Sequence, residues 1–334
     1  MEVGKLKNEV LGKIVLSELK EVREDILIRP GVGEDCAAIA FGDLACVLTT
    51  DPITGSGSNL GRLAVHVCLN DIASSGAEPV GIMLTLLCPE NTTHAEIQGI
   101  LREANETANA MGIEIVGGHT EITTAVNRTI VSATAIGKTA IKALVKTSGA
   151  KPGDLIYITK QAATEGTAII AHDKESELSD HMSKDDLEFA KSMIDAISVV
   201  QEGTIAARAG ASAMHDATEG GILGAVHEVC EASGTGCRLD YDKIKIHSVT
   251  KKICDFYKIN PLKLISSGSM IICISSEAAL NMERELKAAN ISYACIGTIT
   301  EGSDKIICFE TPETGGHCEM IESPEADELY KVIG

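Results

Sequence analysis

The sequence predicts an α/β chain of two domains, and three observations lead to this prediction. The chain has 334 residues, which at roughly 100–200 residues per domain leaves room for two cores. Hydrophobic residues make up 44% and charged residues 23%, a composition typical of globular proteins. Short apolar runs of strand length alternate with longer stretches whose apolar residues recur at helical spacing. This alternation indicates layered α/β or α+β domains.

The first half of the chain opens with an amphipathic helix within about the first 25 residues, and a loop rich in glycine follows it. Stretch 52–59 is rich in turn residues and separates the next strand from a helix. Thr93 followed by Glu96 is the pattern of a capping box and predicts a helix start. The expected elements are strands at 45–50, 80–87, 113–116 and 128–136 and helices at 60–76 and 93–111.

The second half begins at the predicted domain boundary, where Lys, Pro, Gly and Asp follow one another at 151–154. We expect an N-terminal domain over 1–150 and a C-terminal domain over 151–334. The last ~20 residues contain glycines, Pro324 and several acids, which predicts a loose acidic tail. The expected elements are strands at 155–159, 269–274, 293–299 and 305–309, loops at 172–184 and 214–221, and helices ending near Val200 and Cys230.

The charge balance excludes several function classes. Lys and Arg number 29 against 48 Asp and Glu, a net charge of −19, which repels nucleic acids and anionic membranes. Aromatic residues make up 3%, so stacking platforms for single-stranded nucleic acid are not expected. We expect neither nucleic acid nor membrane as a partner, since no apolar run reaches about 18 residues. A bound nucleotide would need a metal ion between its phosphates and this protein.

The cysteines indicate a reducing compartment. The chain has 11 of them, an odd number, without a Cys-x-x-Cys pair, and most lie in apolar stretches. The pattern argues against a disulfide framework and against a zinc site. The N-terminus also lacks the apolar core of a signal peptide. We therefore predict a cytoplasmic protein.

Two glycine-rich stretches resemble nucleotide motifs only in part. Gly137-Lys138-Thr139 has the end of a P-loop, but position 132, where the first glycine would stand, is Ser132. The run at 55–61 has its third glycine one position too late for the dinucleotide fingerprint. Both are interpreted as ordinary turns.

Three aspartates are more informative. Asp35 lies in a glycine loop, Asp51 ends a strand, and Asp71 follows Asn70 on an otherwise apolar helix, where a carboxylate is costly unless it is paired. Three carboxylates at the ends or breaks of elements can converge on Mg²⁺, which prefers a few carboxylates plus water and substrate phosphates. The alternative is that Asp35 and Asp51 are turn residues and that Asp71 is a capping group.

Two further segments suit an anionic ligand. Gly117-Gly118-His119-Thr120 follows a strand, and paired glycines there would let the backbone approach a ligand or form a plain turn. His215 to Gly221 precede a helix, whose free N–H groups favour phosphate unless the segment is only a helix cap. Ser266 to Ser269 form a similar run of small residues, most simply a loop.

Together these motifs resemble the aminoimidazole ribonucleotide (AIR) synthase superfamily, over roughly residues 4–310. The family includes AIR synthase, thiamine-monophosphate kinase, selenophosphate synthetase and the hydrogenase maturation factor HypE. HypE-like, AIR-synthase-related proteins are the most similar in pattern. The motifs are Gly-x-Gly-Glu-Asp-x-Ala-Ala at 31–38, Thr-Thr-Asp-Pro at 49–52, Asn-Asp-Ile-Ala at 70–73, Gly-Gly-His-Thr at 117–120 and Asp-Ala-Thr-Glu-Gly-Gly at 216–221.

The resemblance implies an ATP-dependent, Mg²⁺-requiring enzyme without a P-loop. Its N-terminal domains would pair into a β-barrel across a homodimer, with ATP in clefts between subunits and domains. Asp35, Asp51 and Asp71 would hold Mg²⁺. The catalytic residues would be Asp51, Asp71, Asp216 and His119. ATP would further contact Asn70, Gly117, Gly118, Thr120, Thr218, Glu219, Gly220 and Gly221.

The departures from the family pattern leave the substrate open. HypE typically ends in a cysteine that carries a carbamoyl group, whereas the last cysteine of this sequence is Cys318, beside Glu319. Acidic neighbours disfavour a thiolate, so Cys318 is not expected to be the carrier. His119 stands where the family usually has an acid, and Glu121 stands where it usually has a lysine. His119 would either donate to a phosphate or orient the turn.

Three functions follow from this comparison. The first is a HypE-like enzyme that activates an oxygen of a carbamoyl-like or small-molecule substrate, in which case the acceptor thiol comes from elsewhere, such as a maturation partner protein, or the chemistry differs. The second is a small-molecule kinase or ATP-dependent cyclase like thiamine-monophosphate kinase or AIR synthase. The third is a nucleotide-binding scaffold for a maturation partner.

Overall fold

The chain folds around two β-sheets, each covered by helices on at least one face. The computed structural model describes residues 4–54, 58–310, 316–323 and 326–333. Parts of two predicted segments, Gly55 to Gly57 of the glycine run and Gly315 and Pro324 of the tail, lie outside the described residues. No helix in the described ranges combines the length and the apolar character needed to cross a bilayer.

The first sheet has six strands in the order β1-β2-β3-β6-β4-β5. All neighbours are antiparallel except β4 and β5, which run parallel and are joined through a helix. The strands are β1 (Ile26–Ile28), β2 (Ala37–Phe41), β3 (Leu44–Ile53), β4 (Glu78–Cys88), β5 (Glu114–Ile122) and β6 (Ile130–Ala140).

Helices α1 (Asn8–Ile14), α2 (Leu60–Ser74) and α3 (His94–Ala110) belong to this half. Helix α2 is buried on nearly all sides, because it packs against β3 and β6 as well as α3, and its apolar residues surround the helix. The predicted capping box is confirmed: the Glu96 backbone N–H donates to Thr93 Oγ1, and the Thr93 N–H donates to the Glu96 carboxylate.

The second sheet has seven strands in the order β13-β12-β9-β11-β7-β10-β8. They are β7 (Leu155–Thr159), β8 (Ala213–Asp216), β9 (Gly236–Asp240), β10 (Met270–Ile274), β11 (Tyr293–Thr300), β12 (Lys305–Phe309) and β13 (His317–Met320). The helices of this half are α4 (Thr164–Asp173), α5 (Glu175–Leu178), α6 (Lys184–Ser192), α7 (Val200–Ala209), α8 (Gly221–Ser233), α9 (Ser248–Tyr257), α10 (Ser276–Ala288) and α11 (Tyr330–Ile333).

The predicted turn at Gly117 and Gly118 is wrong, because β5 continues through both to Ile122. Gly118 has a φ of +152°, and a Cβ there would lie 2.0 Å from the Leu84 carbonyl oxygen of β4. The glycine therefore allows two strands to pair closely. A glycine that lets the backbone approach a ligand would look the same in the sequence, so the two roles cannot be told apart there.

Two predicted loops also contain regular structure. Met214 to Asp216 lie in β8, where antiparallel pairing with β10 uses their backbone groups. The polar stretch 172–184 contains the short helix α5, and the helix that follows it ends at Ser192 rather than near Val200. Polar composition led to both errors, since these segments are short and their partners are distant in sequence.

The predicted loose tail is also wrong for its described residues. Strand β13 pairs antiparallel with β12, and Asp327 and Leu329 are each 2% exposed. Asp327 accepts hydrogen bonds from the backbone N–H groups of Gly220, Ile265 and Leu329, and it thereby fastens the end of the chain to the second half. An acidic composition indicated solvation, but this carboxylate satisfies buried backbone donors.

The expectation of reduced cysteines is corrected at one pair. Cys308 and Cys318 form a disulfide between β12 and β13. The two residues are directly opposite in the strand register, which brings their side chains together. The sequence offers no sign of this pairing, because the register depends on where β13 folds back.

Candidate active site

A cavity of about 760 Å³ lies between the two halves of the chain. The first half contributes the N-terminal segment, the loop before β2, β3 and α2, while the second half contributes α4, β8 and α8. The C-terminal residues Asp327, Leu329 and Tyr330 complete its wall. The cavity is thus built from segments that are far apart in the sequence.

Four aspartates form a group that we call the acid cluster: Asp35, Asp51 and Asp71 line this cavity, and Asp216 is fully buried close to them. Burial and the charges of Asp216, Asp51 and Asp35 raise the pKa of Asp71 well above its usual range. Burial, and then the charge of Asp35, raises the pKa of Asp216 to about 8. Because like charges repel, the four neighbouring carboxylates are stabilised either when some of them are protonated or when they bind a cation.

The acid cluster fits a divalent metal ion. Both carboxylate oxygens of Asp216 are buried and lack a hydrogen-bond partner among the described residues. Ligand atoms of Asp35, His215 and Asp216 lie within 4.8 Å of one another. Carboxylate oxygens are the ligands that Mg²⁺ prefers, and an unpaired buried carboxylate is costly without a cation. The aspartates, rather than His215, are therefore the residues that would bind a hard cation such as Mg²⁺.

Each remaining member of the cluster is held by a hydroxyl or by its strand. Thr49 Oγ1 donates to Asp71 Oδ2 at 2.5 Å, and Ser74 Oγ donates to Asp35 Oδ2 at 2.8 Å. Asp51 lies on β3 opposite Ala133 of β6. The central strands and α2 thus fix where these carboxylates stand.

His215 connects the cluster to the second half of the site. Its Nδ1 lies 2.8 Å from Asp35 Oδ2, and its Nε2 lies 2.9 Å from Glu228 Oε2. Burial by itself would lower the pKa of His215, but Asp35 and Glu228 outweigh it and raise that pKa well above its usual range. The imidazole is therefore protonated at neutral pH and donates from both nitrogens, so neither nitrogen is free for a metal.

Lys5 is the single Lys or Arg among the described residues that line the cavity. Its Nζ lies 3.3 Å from Thr218 Oγ1, and its backbone N–H donates to Glu219. Lys5 is exposed, and the negative charges of Glu228, Glu219, Asp51 and Asp35 outweigh its partial desolvation at the cavity wall and raise its pKa. A positive charge thus faces the acid cluster.

The segment before α8 behaves partly as the sequence predicts. Thr218 and Glu219 line the cavity, and Glu219 accepts a hydrogen bond from Tyr330. Gly220 donates its N–H to Asp327, and a Cβ on Gly221 would lie 2.5 Å from the Leu262 carbonyl oxygen. The two glycines therefore shape the wall without facing the cavity.

Asn70 does not line the cavity. Its Nδ2 donates to the Ile197 carbonyl and its Oδ1 accepts from the Val199 N–H, both at 2.8 Å. The side chain joins α2 to the segment before α7, and both of its polar ends are engaged.

The residues of β5 also lie outside this cavity. Gly117, Gly118, His119 and Thr120 are exposed on the edge strand of the first sheet. His119 Nε2 lies 3.3 Å from the Glu121 carboxylate. In one copy of the chain the structure does not bring these residues to the acid cluster.

Several cavity residues were missed from the sequence: Lys5, Glu165, Glu228, Asp327 and Tyr330. Acids at buried helix positions are a signal that could have found Glu165 on α4 and Glu228 on α8. The C-terminal pair had no such signal, because the tail composition predicts solvated chain.

The chain is similar to a putative hydrogenase expression/formation protein of Methanocaldococcus jannaschii, 28% identical over 288 residues, which cover 83% of this chain and 82% of that protein. It is 25% identical over 259 residues to the carbamoyl dehydratase HypE of Rhizobium leguminosarum bv. viciae, covering 74% of this chain and 71% of that protein.

Solved structures share the fold. A HypE chain from a HypE–HypF complex superposes with a TM-score of 0.77 at 22% identity, covering 94% of this chain and 99% of that chain. HypE in complex with ATP superposes with a TM-score of 0.68 at 18% identity, covering 95% of this chain and 92% of that chain. AaThiL complexed with AMPPCP and TMP superposes with a TM-score of 0.75 at 17% identity, covering 95% of this chain and 99% of that chain.

Both halves of the chain also match domains of one family. Residues 33–139 match the N-terminal domain of AIR synthase related proteins, and residues 151–308 match the C-terminal domain. The first match contains three members of the acid cluster, and the second contains Asp216 and His215. The chain belongs to the AIR synthase related family.

Proposed function

We propose that this protein is an ATP-dependent enzyme of the HypE type, which phosphorylates and dehydrates a carbamoyl-like group. The observation that carries the proposal is the acid cluster, three of whose aspartates line one cavity together with Lys5, while the carboxylate of the fourth, Asp216, is buried close to them without a hydrogen-bond partner among the described residues. Relatives named carbamoyl dehydratase and a similar fold solved with ATP support this choice. The resemblance of the sequence motifs pointed in the same direction.

In this proposal Asp35, Asp51 and Asp71 hold Mg²⁺, and Asp216 completes the carboxylate set. The metal, when bound, neutralises phosphate charge and orients the transferred group. Lys5 supplies positive charge at the cavity mouth. His215 fixes the orientation of Asp35 through its hydrogen bond, so its role is positioning.

The reaction proposed for the substrate balances without a redox partner. The carbamoyl oxygen attacks the γ-phosphorus of ATP, and ADP leaves. The C–O bond then breaks with release of inorganic phosphate, and the amide nitrogen becomes a nitrile as it loses both its protons, one of which leaves on the phosphate and the other of which goes to solvent. The chain contributes positioning and charge, which account for most of catalysis in phosphoryl transfer.

The carbamoyl carrier would come from a maturation partner protein. Cys318 is joined to Cys308, so it offers no thiol in this structure. Cys36 lines the cavity, but burial and the charge of Asp71 raise the pKa of its thiol well above its usual value. The structure of HypE with HypF supports a protein partner for this family.

We further propose that two copies pair through the first sheet, so that β5 of one copy serves the cavity of the other. His119, with Gly117, Gly118 and Thr120, is exposed on an edge strand, and Val116 of the same strand is 57% exposed. Mixing two inactive proteins, Asp51→Asn and His119→Ala, tests the arrangement. If the site is shared, one site of each mixed dimer contains both wild-type residues, so partial recovery of activity on mixing supports the arrangement. Mixed dimers that are shown to form but remain inactive contradict it.

The second candidate is a small-molecule kinase, which the likeness to AaThiL with AMPPCP and TMP favours. Turnover of a free metabolite without a partner protein would select it. Nucleotide binding without turnover of any substrate would instead select a scaffold for a maturation partner.

The test is a thermal unfolding experiment with ATP, with and without Mg²⁺. Ligand at 100 times its Kd stabilises the folded chain by about 2.7 kcal/mol. We expect a rise in Tm that needs Mg²⁺ and that is lost in Asp51→Asn. A folded wild-type protein whose Tm does not respond to Mg-ATP would refute the proposed function.

A further inference from the structure

We infer that Glu165 and Ser267 form a binding subsite for an uncharged group that presents an N–H donor beside an acceptor atom. The inference rests on the proposed function and deepens it, because the substrates named there contain two such groups. One is the carboxamide of a carbamoyl substrate, and the other is the edge of the adenine base.

Both residues line the cavity, and both are buried. Glu165 is 4% exposed and Ser267 is fully buried. Glu165 Oε2 and Ser267 Oγ each lack a partner of normal hydrogen-bond distance and angle among the described residues, although the two residues are close enough for Ser267 to oppose the rise in the Glu165 pKa. Buried carboxylates and hydroxyls are almost always paired, since leaving them unpaired costs free energy. Two adjacent exceptions facing one cavity indicate that a ligand pairs them.

The local backbone holds this subsite in place. The Ala163 N–H donates to Ser266 Oγ at 2.8 Å, and the Gly166 N–H donates to the Ile265 carbonyl at 3.0 Å. A Cβ on Gly166 would lie 2.4 Å from the Leu264 side chain, so α4 and the segment before β10 are in close contact. Glu165 and Ser267 are thus fixed before any ligand arrives.

The charges around Glu165 select against an anion. Burial and the charge of Asp327 raise the pKa of Glu165 to about 7, with Glu219 adding to the shift and Ser267 opposing it. None of these neighbours is cationic. Phosphates would therefore bind toward Lys5 and the acid cluster, and the uncharged part of a ligand would bind here.

The chemistry of the two side chains defines the complementary ligand. A carboxyl oxygen of Glu165 accepts from an N–H of the ligand, whether the acid is protonated or ionised, and the serine hydroxyl donates to an adjacent acceptor. In a carboxamide these are the amide N–H and the carbonyl oxygen. In adenine they are the exocyclic N–H and the neighbouring ring nitrogen.

Calorimetric titration of the full chain tests the inference with three variants. Glu165→Met and Ser267→Ala each remove one polar group, while Glu175→Met is the matched control on α5 outside the cavity. The ligands are adenosine, Mg-AMPPCP and a peptide with S-carbamoylcysteine assayed with Mg-ATP. Loss of one hydrogen bond of this kind weakens binding by about tenfold.

Titration with the different ligands distinguishes whether adenine or the carboxamide binds at this subsite. If adenine binds here, adenosine affinity falls about tenfold in both variants and is unchanged in the control. If the carboxamide binds here, adenosine affinity is unchanged and KM for the peptide rises about tenfold. Wild-type binding and KM in both variants would overturn the inference.

A stability measurement excludes a merely structural role. Burial is the largest cause of the raised Glu165 pKa, so replacing this buried acid by an apolar side chain removes a desolvation cost, and the urea midpoint of ligand-free Glu165→Met is expected not to fall. A lower midpoint together with weaker binding of all ligands would overturn the inference. A wild-type chain that fails to bind Mg-AMPPCP would instead refute the proposed function, and the inference with it.

Discussion

His215 and Asp35 are 180 residues apart in the sequence, yet Nδ1 of the imidazole lies 2.8 Å from the Asp35 carboxylate. The other nitrogen of His215 meets Glu228 at 2.9 Å. One protonated side chain therefore neutralises two buried acids and connects the two halves of the cavity. The acid cluster has its geometry only when both halves are in place.

We expect His215→Phe to destabilise the chain by about 3–5 kcal/mol, because it leaves two buried carboxylates without their partner. Urea unfolding at pH 7 measures the loss. The folded pKa of His215 is raised, so its contribution is fully present below about pH 6.5 and is lost only as the pH rises through that folded value. A loss below about 1 kcal/mol at pH 7 would contradict the buried double ion pair.

Asn70→Ala is expected to cost about 2–4 kcal/mol of stability, since it leaves the Ile197 carbonyl and the Val199 N–H unpaired and buried. The affinity of the folded variant for Mg-ATP should be unchanged. Chemical unfolding and nucleotide titration of the same preparation check both statements. A weakened affinity with normal stability would instead place Asn70 in the binding site, as the sequence motif implied.

Lys5→Met is expected to weaken Mg-ATP binding by about tenfold, because Lys5 is the single Lys or Arg that lines the cavity in the described part of the chain. Adenosine binding should be unaffected, since adenosine has no phosphate. Lys13→Met is the control, because Lys13 lies on the same N-terminal segment and pairs with Glu9 in solvent. Equal losses for ATP and adenosine would mean that Lys5 acts only on folding.

Glu165→Gln should change how stability depends on pH. The folded pKa of Glu165 is about 7, above its usual 4.5, so the native chain binds more protons than the unfolded chain between these values. Without ligand, the wild-type chain therefore loses stability relative to the variant as the pH rises from about 4.5 to 7, by about 3 kcal/mol in total. Denaturation of both proteins at a series of pH values gives the difference, and parallel curves would contradict a buried, protonated Glu165.

Cys318→Ala is expected to leave Mg-ATP binding and turnover unchanged, because the disulfide lies on β12 and β13 at the sheet edge and not at the cavity. Loss of the cross-link should lower stability by at most about 3 kcal/mol, the value for closing a short loop. Thiol titration of the oxidised wild-type chain checks the bond itself. Complete loss of turnover would return Cys318 to consideration as a carrier thiol.

Among the described residues most strands could be predicted from the sequence but fewer than half of the helices, and α4, α9 and α10 were not predicted. Where a prediction held, a local apolar run or a capping pattern marked the element. β7, β12 and the capping box of α3 are examples. The errors fall where a distant partner decides the structure. Gly118 looks like part of a turn but allows two strands to pair closely, and Asp327 looks solvated but binds three backbone donors.

The candidate site divides in the same way. Asp71 was recognisable because a carboxylate on an apolar helix has few explanations besides a charged partner. Asp35 and Asp51 stood out at the break or end of an element, and Asp216 entered through the family resemblance of its motif. Their convergence required the tertiary structure, as did the second half of the site. Glu165 and Ser267 are 102 residues apart and meet only because α4 packs on the segment before β10.

The sequence by itself determined the family motifs, the alternation of strands and helices, and an acidic site suited to a cation. These properties depend on residue type and short spacing. Only the tertiary structure decided the protonated link of His215, the packing of the chain end against the cavity and the unpaired groups of Glu165 and Ser267. Their physical basis is contact between segments remote in sequence, which local patterns do not encode.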